Sequence, residues 1–245
     1  MGPAGGDAMV FLHGWPDSWF SFSRVMPPLP PRLRLFALDQ RGFGDSERPE
    51  RGYGIPDLAD DVVAFLDAVG VERATVVGHS YGSFVARRVA IAHPERVARL
   101  AVVDSGWSPR NPVLLEVQAS LRDIADPIPT EFVQAFQAST AYQPLPAPFF
   151  ERIVAESLKL PARLWGEAFD RLLEYEDTED LPRIAAPTLV LWGDRDALFS
   201  RDDQDRLAAA IPGAALRIYP EIGHCPNWEC PDDLADDLGT LMIRA

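Results

Sequence analysis

Residues Val76-Val77-Gly78-His79-Ser80-Tyr81-Gly82 form an apolar run broken by Gly-x-Ser-x-Gly. A serine in such a pattern sits on a sharp turn between a strand and a helix. The glycines let the two elements pass closely while the serine backbone is strained and its hydroxyl points out of the sheet. The amide of Tyr81 then opens a helix, where its N–H and the helix dipole can stabilise an oxyanion. The bland alternative is a glycine-rich structural turn, so the pattern needs partners elsewhere in the chain.

A serine hydroxyl is a weak nucleophile near neutral pH and requires a base within hydrogen-bond reach. Four histidines are available: His13, His79, His93 and His224. His79 adjoins the serine and is expected to point away from its reactive face. His93 precedes Pro94 and reads as a helix C-terminal residue. His224 lies in Glu221-Ile222-Gly223-His224-Cys225-Pro226, just past an apolar run, where a loop brings it to the serine's edge of the sheet. A base of this kind is oriented by a buried carboxylate. Asp194 and Asp196, in Trp192-Gly193-Asp194-Arg195-Asp196, compete with Asp104 for that role. Asp194 is suited to bracing its own loop, and Asp196, further out, is better placed to reach a neighbouring histidine. A second oxyanion donor is expected in Phe11-Leu12-His13-Gly14-Trp15-Pro16-Asp17, where the Trp15 amide is the last before a proline that cannot donate. His13 is expected to fix that loop by hydrogen bonding.

The elements needed to position these groups are legible as short apolar runs alternating with amphipathic stretches, the pattern of a parallel sheet covered by helices. Strands are expected at Met9–Leu12, Leu33–Leu38, Ala74–Val77, Leu100–Val103, Thr188–Leu191 and Leu216–Tyr219. Helices are expected at Ile55–Val69, Phe84–His93, Arg201–Ala210 and Asp232–Met242. Between Trp107 and Arg183 the alternation fails, and prolines punctuate helical pieces at Val113–Ile124, Thr130–Ser139, Phe149–Leu158 and Ala162–Glu174. An insertion there lies over the strand C-termini, where such sheets bind ligands. We therefore divide the chain into a core of residues 1–106 and 183–245 and a helical cap of residues 107–182. The cap carries Phe132, Phe136, Tyr142, Phe149, Phe150, Trp165 and Phe169; most are expected to pack its helices together. Phe136, Tyr142, Phe150 and Trp165 are the candidate substrate contacts.

At 245 residues the chain suits one domain with an insertion. A formal net charge of −14 opposes binding to nucleic acid. There is neither a secretory signal pattern nor an apolar run of the ~20 residues that span a bilayer. Cys225 and Cys230 do not make a disulfide framework and are expected as free thiols in a reducing, cytoplasmic setting.

Taken together, His13-Gly14-Trp15-Pro16-Asp17-Ser18, Asp39-Gln40-Arg41-Gly42-Phe43-Gly44-Asp45-Ser46, the Ser80 turn, Gly193-Asp194-Arg195-Asp196 and Gly223-His224 resemble the α/β-hydrolase superfamily along essentially the whole chain. The resemblance implies a mostly parallel sheet flanked by helices, a triad of Ser80, Asp196 and His224, and an oxyanion hole from the Trp15 and Tyr81 amides. Asp39 to Ser46 is expected to be a structural turn. The two opening motifs look most like epoxide hydrolases and haloalkane dehalogenases, which use an aspartate nucleophile. Serine at position 80 favours acyl transfer instead, as in carboxylesterases and lactonases. The family usually carries two strands before the His-Gly loop, so either N-terminal strands have been lost here or the sheet is about two strands shorter. Its exposed edge would be a surface for homo-oligomer formation.

The expected activity is cleavage of a small to medium apolar carboxylic ester or lactone, through a covalent acyl-enzyme and without metal or organic cofactor. The alternatives are a carbon–carbon bond hydrolase with the same triad, and a ligand receptor built on a hydrolase scaffold.

Overall fold

A computed structural model describes residues 1–243. Within them, six strands form one parallel sheet: β1 (Ala8–Leu12), β2 (Arg34–Leu38), β3 (Ala74–His79), β4 (Val97–Val103), β5 (Thr188–Gly193) and β6 (Ala215–Tyr219). Their order is β2-β1-β3-β4-β5-β6. Successive side chains of a strand face opposite sides. In β1, Val10 and Leu12 join a core with Leu58 and Val62 of α1 (Ile55–Ala68) and Phe84 and Val89 of α2 (Tyr81–Ala92). Met9 and Phe11 turn the other way, toward Phe22, Leu29 and the later helix at 231–241. Burial on both faces explains why the strands read as continuous apolar runs rather than alternating ones.

The chain leaves β1 for β2 on one side and returns to β3 on the other. The strand order therefore reverses between β1 and β3, and the crevice beyond their C-terminal ends is where open α/β sheets bind ligands. The loop at 13–18 and the β3–α2 junction both lie there. Strand positions follow the sequence expectation within a few residues. Helix α2 begins at Tyr81 rather than Phe84, because tertiary packing carries the helix through Gly82 and Ser83 despite the poor helix propensity of glycine.

Between β4 and β5 the chain forms α3 (Pro112–Leu121), α4 (Thr130–Thr140), α5 (Ala147–Ser157) and α6 (Ala162–Leu173), with no strand among them. Prolines in or just before the first turns fit this start pattern, and the Asn111 side chain caps α3 by accepting the Leu114 N–H at 2.9 Å. The insertion packs on the sheet through an aromatic nest. Trp15 meets Phe136, Trp165 and Phe169 with ring centroids 5.1, 4.9 and 4.6 Å away. The chain then closes with α7 (Arg201–Ala210), a single turn α8 (Pro226–Glu229) that was not expected, and α9 (Pro231–Leu241). Among the described residues, no helix is long and apolar enough to cross a membrane.

Polar contacts also bridge insertion and sheet. The Gln137 amide donates to Asp17 Oδ1 at 2.9 Å and to Ser157 Oγ at 2.8 Å, while the Ser21 hydroxyl donates to Asp17 Oδ2 at 3.1 Å. Asp17 is buried, and loss of solvation pushes its carboxyl from 3.8 up to about 7 against the pull of those donors. The folded protein thus keeps a proton that the unfolded chain releases near 3.8. More protons are bound in the folded state across that window, so this group's contribution to stability declines as pH rises from about 4 to about 7. Asp17→Asn, which cannot ionise, is expected to gain thermal stability relative to the parent as pH rises from about 4 to about 7. Parallel melting-temperature curves for the two proteins would contradict this.

Candidate active site

Strand β3 ends at His79 and α2 begins at Tyr81, leaving Ser80 as the whole of the turn. Its backbone has φ 51° and ψ −119°, a conformation costing about 1–3 kcal/mol for a non-glycine residue. The surroundings hold it there. Its N–H donates to the Val103 carbonyl at 2.9 Å, and its own carbonyl accepts from the Ser83 N–H at 2.8 Å. The turn is possible only because of the flanking glycines. A Cβ on Gly78 would lie 2.3 Å from the Gly82 carbonyl oxygen, and one on Gly82 would lie 2.2 Å from that of Leu12.

His224 follows β6 on a loop and is buried. Its Nδ1 lies 3.0 Å from Asp196 Oδ2, and the other oxygen of Asp196 accepts the Leu198 N–H at 2.7 Å. Facing a carboxylate, Nδ1 carries the ring proton and Nε2 keeps its lone pair. The His224 N–H donates to the Thr140 carbonyl at 2.9 Å, so the end of α4 helps hold this loop.

The competing acids are engaged otherwise. Asp194 Oδ1 accepts the Glu221 N–H at 2.7 Å and braces the loop. Asp104 is fully buried and accepts the Gly193 N–H at 3.0 Å. Burial first, and the nearby Asp196 second, push its carboxyl well above the usual range. Donor atoms of Asp104, Asp196 and His224 lie within 4.8 Å of one another, a set that could in principle ligate a cation. Within this set Asp196 and His224 bond each other.

The other two buried histidines are neutral. Burial lowers His13 to about 4 and His79 to about 3. His13 Nε2 accepts the Gln40 N–H at 3.2 Å, so its Nδ1 carries the proton and donates to the Gly14 carbonyl at 2.8 Å. His79 Nε2 donates to the His224 carbonyl at 2.8 Å, with the two rings 5.1 Å apart. That role is not evident from a residue adjoining the serine: it depends on a loop 145 residues later. A Cβ on Gly14 would lie 3.2 Å from the Ser80 Cβ, which sets the 13–15 loop directly against the serine. Asp39 proves structural, its two oxygens accepting the Trp19 and Asp45 N–H groups at 2.7 and 2.9 Å.

Ser80 opens on a small enclosed cavity of about 20 Å³. Trp15, Tyr81, Leu198 and Phe199 wall it from the sheet side, and Leu114, Val117, Phe136, Phe169 and Leu172 from the insertion. No charged side chain lines it. A larger hollow of about 750 Å³ between β2 and α1 is open to solvent and does not contain Ser80. Of the four aromatics expected at the substrate, only Phe136 reaches the cavity. Trp165 is fully buried behind Trp15. Tyr142, 52% exposed beneath Arg195, shares an outer groove with Phe150. The three α6 residues 165, 169 and 172 share one helix face, so position along the axis separates them: Phe169 and Leu172, one and two turns beyond Trp165, line the cavity. Leu198 and Phe199 are brought in by their place immediately after Asp196.

A family profile described as alpha/beta hydrolase fold matches residues 7–231. The 2-hydroxymuconate semialdehyde hydrolase of Pseudomonas sp. (strain CF600) is 29% identical, over 98% of this chain and 88% of its own length. Epoxide hydrolase B of Mycobacterium tuberculosis is 45% identical over 96 residues, 38% of this chain and 27% of its own. A solved N-acyl homoserine lactone degrading enzyme superposes with a TM-score of 0.80 at 28% identity, covering 97% of this chain and 93% of its own. With its six-stranded parallel sheet, its serine turn and this match over nearly its full length, the chain belongs to the alpha/beta hydrolase fold family.

Proposed function

We propose that this chain is a serine hydrolase that cleaves a small to medium, apolar carboxylic ester or lactone through an acyl-enzyme. The observation that carries the reading is His224 Nδ1 at 3.0 Å from Asp196, on the same sheet edge as a serine held at φ 51°. In this mechanism His224 Nε2 takes the proton from Ser80 Oγ as the oxygen attacks the carbonyl. The Trp15 and Tyr81 amides hold the oxyanion, and Asp196 stabilises the imidazolium. His224 then protonates the departing alkoxide, and later activates the water that releases the acid. The chain's own side chains and backbone amides supply this chemistry. Serine, rather than the aspartate of the epoxide hydrolases that the opening motifs resemble, favours acyl transfer.

Residues 107–182 act in this reading as a cap over a core of residues 1–106 and 183–245. The apolar walls favour an uncharged substrate, and the net charge of −14 disfavours nucleic acid. The two free cysteines suit a reducing, cytoplasmic setting. Similarity along the chain to 2-hydroxymuconate semialdehyde hydrolase supports a second reading, carbon–carbon bond hydrolysis by the same three residues. A receptor-like binder would instead acylate once and stall.

The direct kinetic test follows p-nitrophenyl acetate and butyrate at several protein concentrations. Multiple turnovers that vanish in Ser80→Ala are expected; equal rates in both proteins would sink the serine mechanism, and a single-turnover burst would favour the receptor. Asp196→Asn is expected to lower kcat by on the order of 10³- to 10⁴-fold. A tenfold loss or less would move the acid role to Asp104. His79→Phe leaves the buried His224 carbonyl without its donor, a defect of about 1–3 kcal/mol. It should lower kcat by about tenfold with KM little changed, which steady-state kinetics will read.

A further inference from the structure

Arg87 lies on α2, seven residues beyond Ser80, with its side chain fully buried. Its guanidinium forks onto the equally buried Asp177: Nε donates to Oδ2 at 3.0 Å and Nη2 to Oδ1. Its remaining donors reach the other end of the insertion. Nη1 donates to Ser105 Oγ at 3.1 Å and to the Gly106 carbonyl at 2.7 Å, and Nη2 to the Trp107 carbonyl at 3.5 Å. Ser105 to Trp107 lead out of β4 toward α3, whereas Asp177 lies where the chain returns from α6. One side chain therefore holds both crossings of the insertion.

The same group is linked to the serine turn. The hydroxyls of Ser105 and Ser83 are hydrogen-bonded at 2.6 Å, and the Ser83 hydroxyl donates to the Ser80 carbonyl. Gly106 abuts Phe199, a wall of the cavity; a Cβ there would fall 2.4 Å from the Phe199 ring. A buried ion pair is a poor source of stability, since an apolar pair of similar volume often serves as well. What a forked pair supplies is fixed geometry. That geometry matters here because a cavity of about 20 Å³ holds little more than one water-sized group, so any acyl group must push its walls apart, and a longer chain must displace α3 or α6 further.

Building on the ester-hydrolase reading, we propose that Arg87, anchored on Asp177, is a positioning residue that clamps both hinges of the insertion to the nucleophile helix and so sets the acyl length the site accepts. The test compares p-nitrophenyl acetate and octanoate, with backbone hydrogen exchange of residues 112–173 measured alongside. The proteins are the parent, Asp177→Asn, and Arg87→Lys, which keeps the charge but not the fork. In both variants the octanoate-to-acetate ratio of kcat/KM is expected to rise by about tenfold or more, as hinge changes alter kcat and KM together. Exchange should quicken in α3–α6 while β3 and β4 stay protected. An unchanged ratio overturns the selectivity role, and exchange that quickens equally across the sheet reduces the pair to a stability element. If the parent shows no Ser80-dependent turnover of either ester, the ester reading fails. Exchange then judges the clamp alone: quickening confined to the insertion supports it, and no quickening refutes it.

Discussion

The close approach of β1, β3 and the start of α2 is the constraint on which the site depends. Gly78 and Gly82 leave no room for a Cβ, so the strand passes into the helix through one residue, and that residue is driven to positive φ. Ser80 carries the strain, and the Val103 carbonyl and Ser83 amide hold it in place. In return the hydroxyl stands beyond the sheet edge, at the strand-order reversal, with the first amide of α2 beside it. The loop after β1 comes into contact with the serine because Gly14, too, has no side chain to hold it away. In the proposed mechanism, both oxyanion donors follow from that packing.

Around this turn the buried polar groups divide by charge. His13 and His79 are kept neutral by burial; His13 engages backbone groups with both ring nitrogens and His79 with Nε2. Asp104, its carboxyl pushed well up by burial, braces Gly193. This leaves the Asp196–His224 pair as the place where charge can develop with a partner ready to meet it.

The sheet and its helices were legible because burial on both faces writes strands as Val-, Leu- and Ala-rich runs, and because prolines mark where α3 to α6 begin. Ser80, Asp196 and His224 stood out for a related reason: each lies just past an apolar run, and all six strands are parallel, so their C-termini share one edge. What lay beyond the sequence was anything set by contacts between distant segments. His79 holding the His224 carbonyl is one case, and Arg87 reaching Ser105 and Asp177 is another. The walls of the cavity are a third. Aromatic character singled out Trp165 and Phe169 alike; both pack on Trp15 from one face of α6, and only their places along its axis put Phe169 at the cavity and Trp165 a turn behind it. Tyr142 lies in a linker whose amides are bound by Glu229, which keeps its ring on the outer surface.

The central claim is that Ser80 is the nucleophile, and peptide mass spectrometry after treatment with a fluorophosphonate tests it most directly. One phosphonyl adduct per chain is expected, mapped to Ser80 in the peptide spanning β3 and α2, and formed far more slowly in Asp196→Asn. A chain left unmodified, or an adduct on another residue with Ser80 intact, would contradict it.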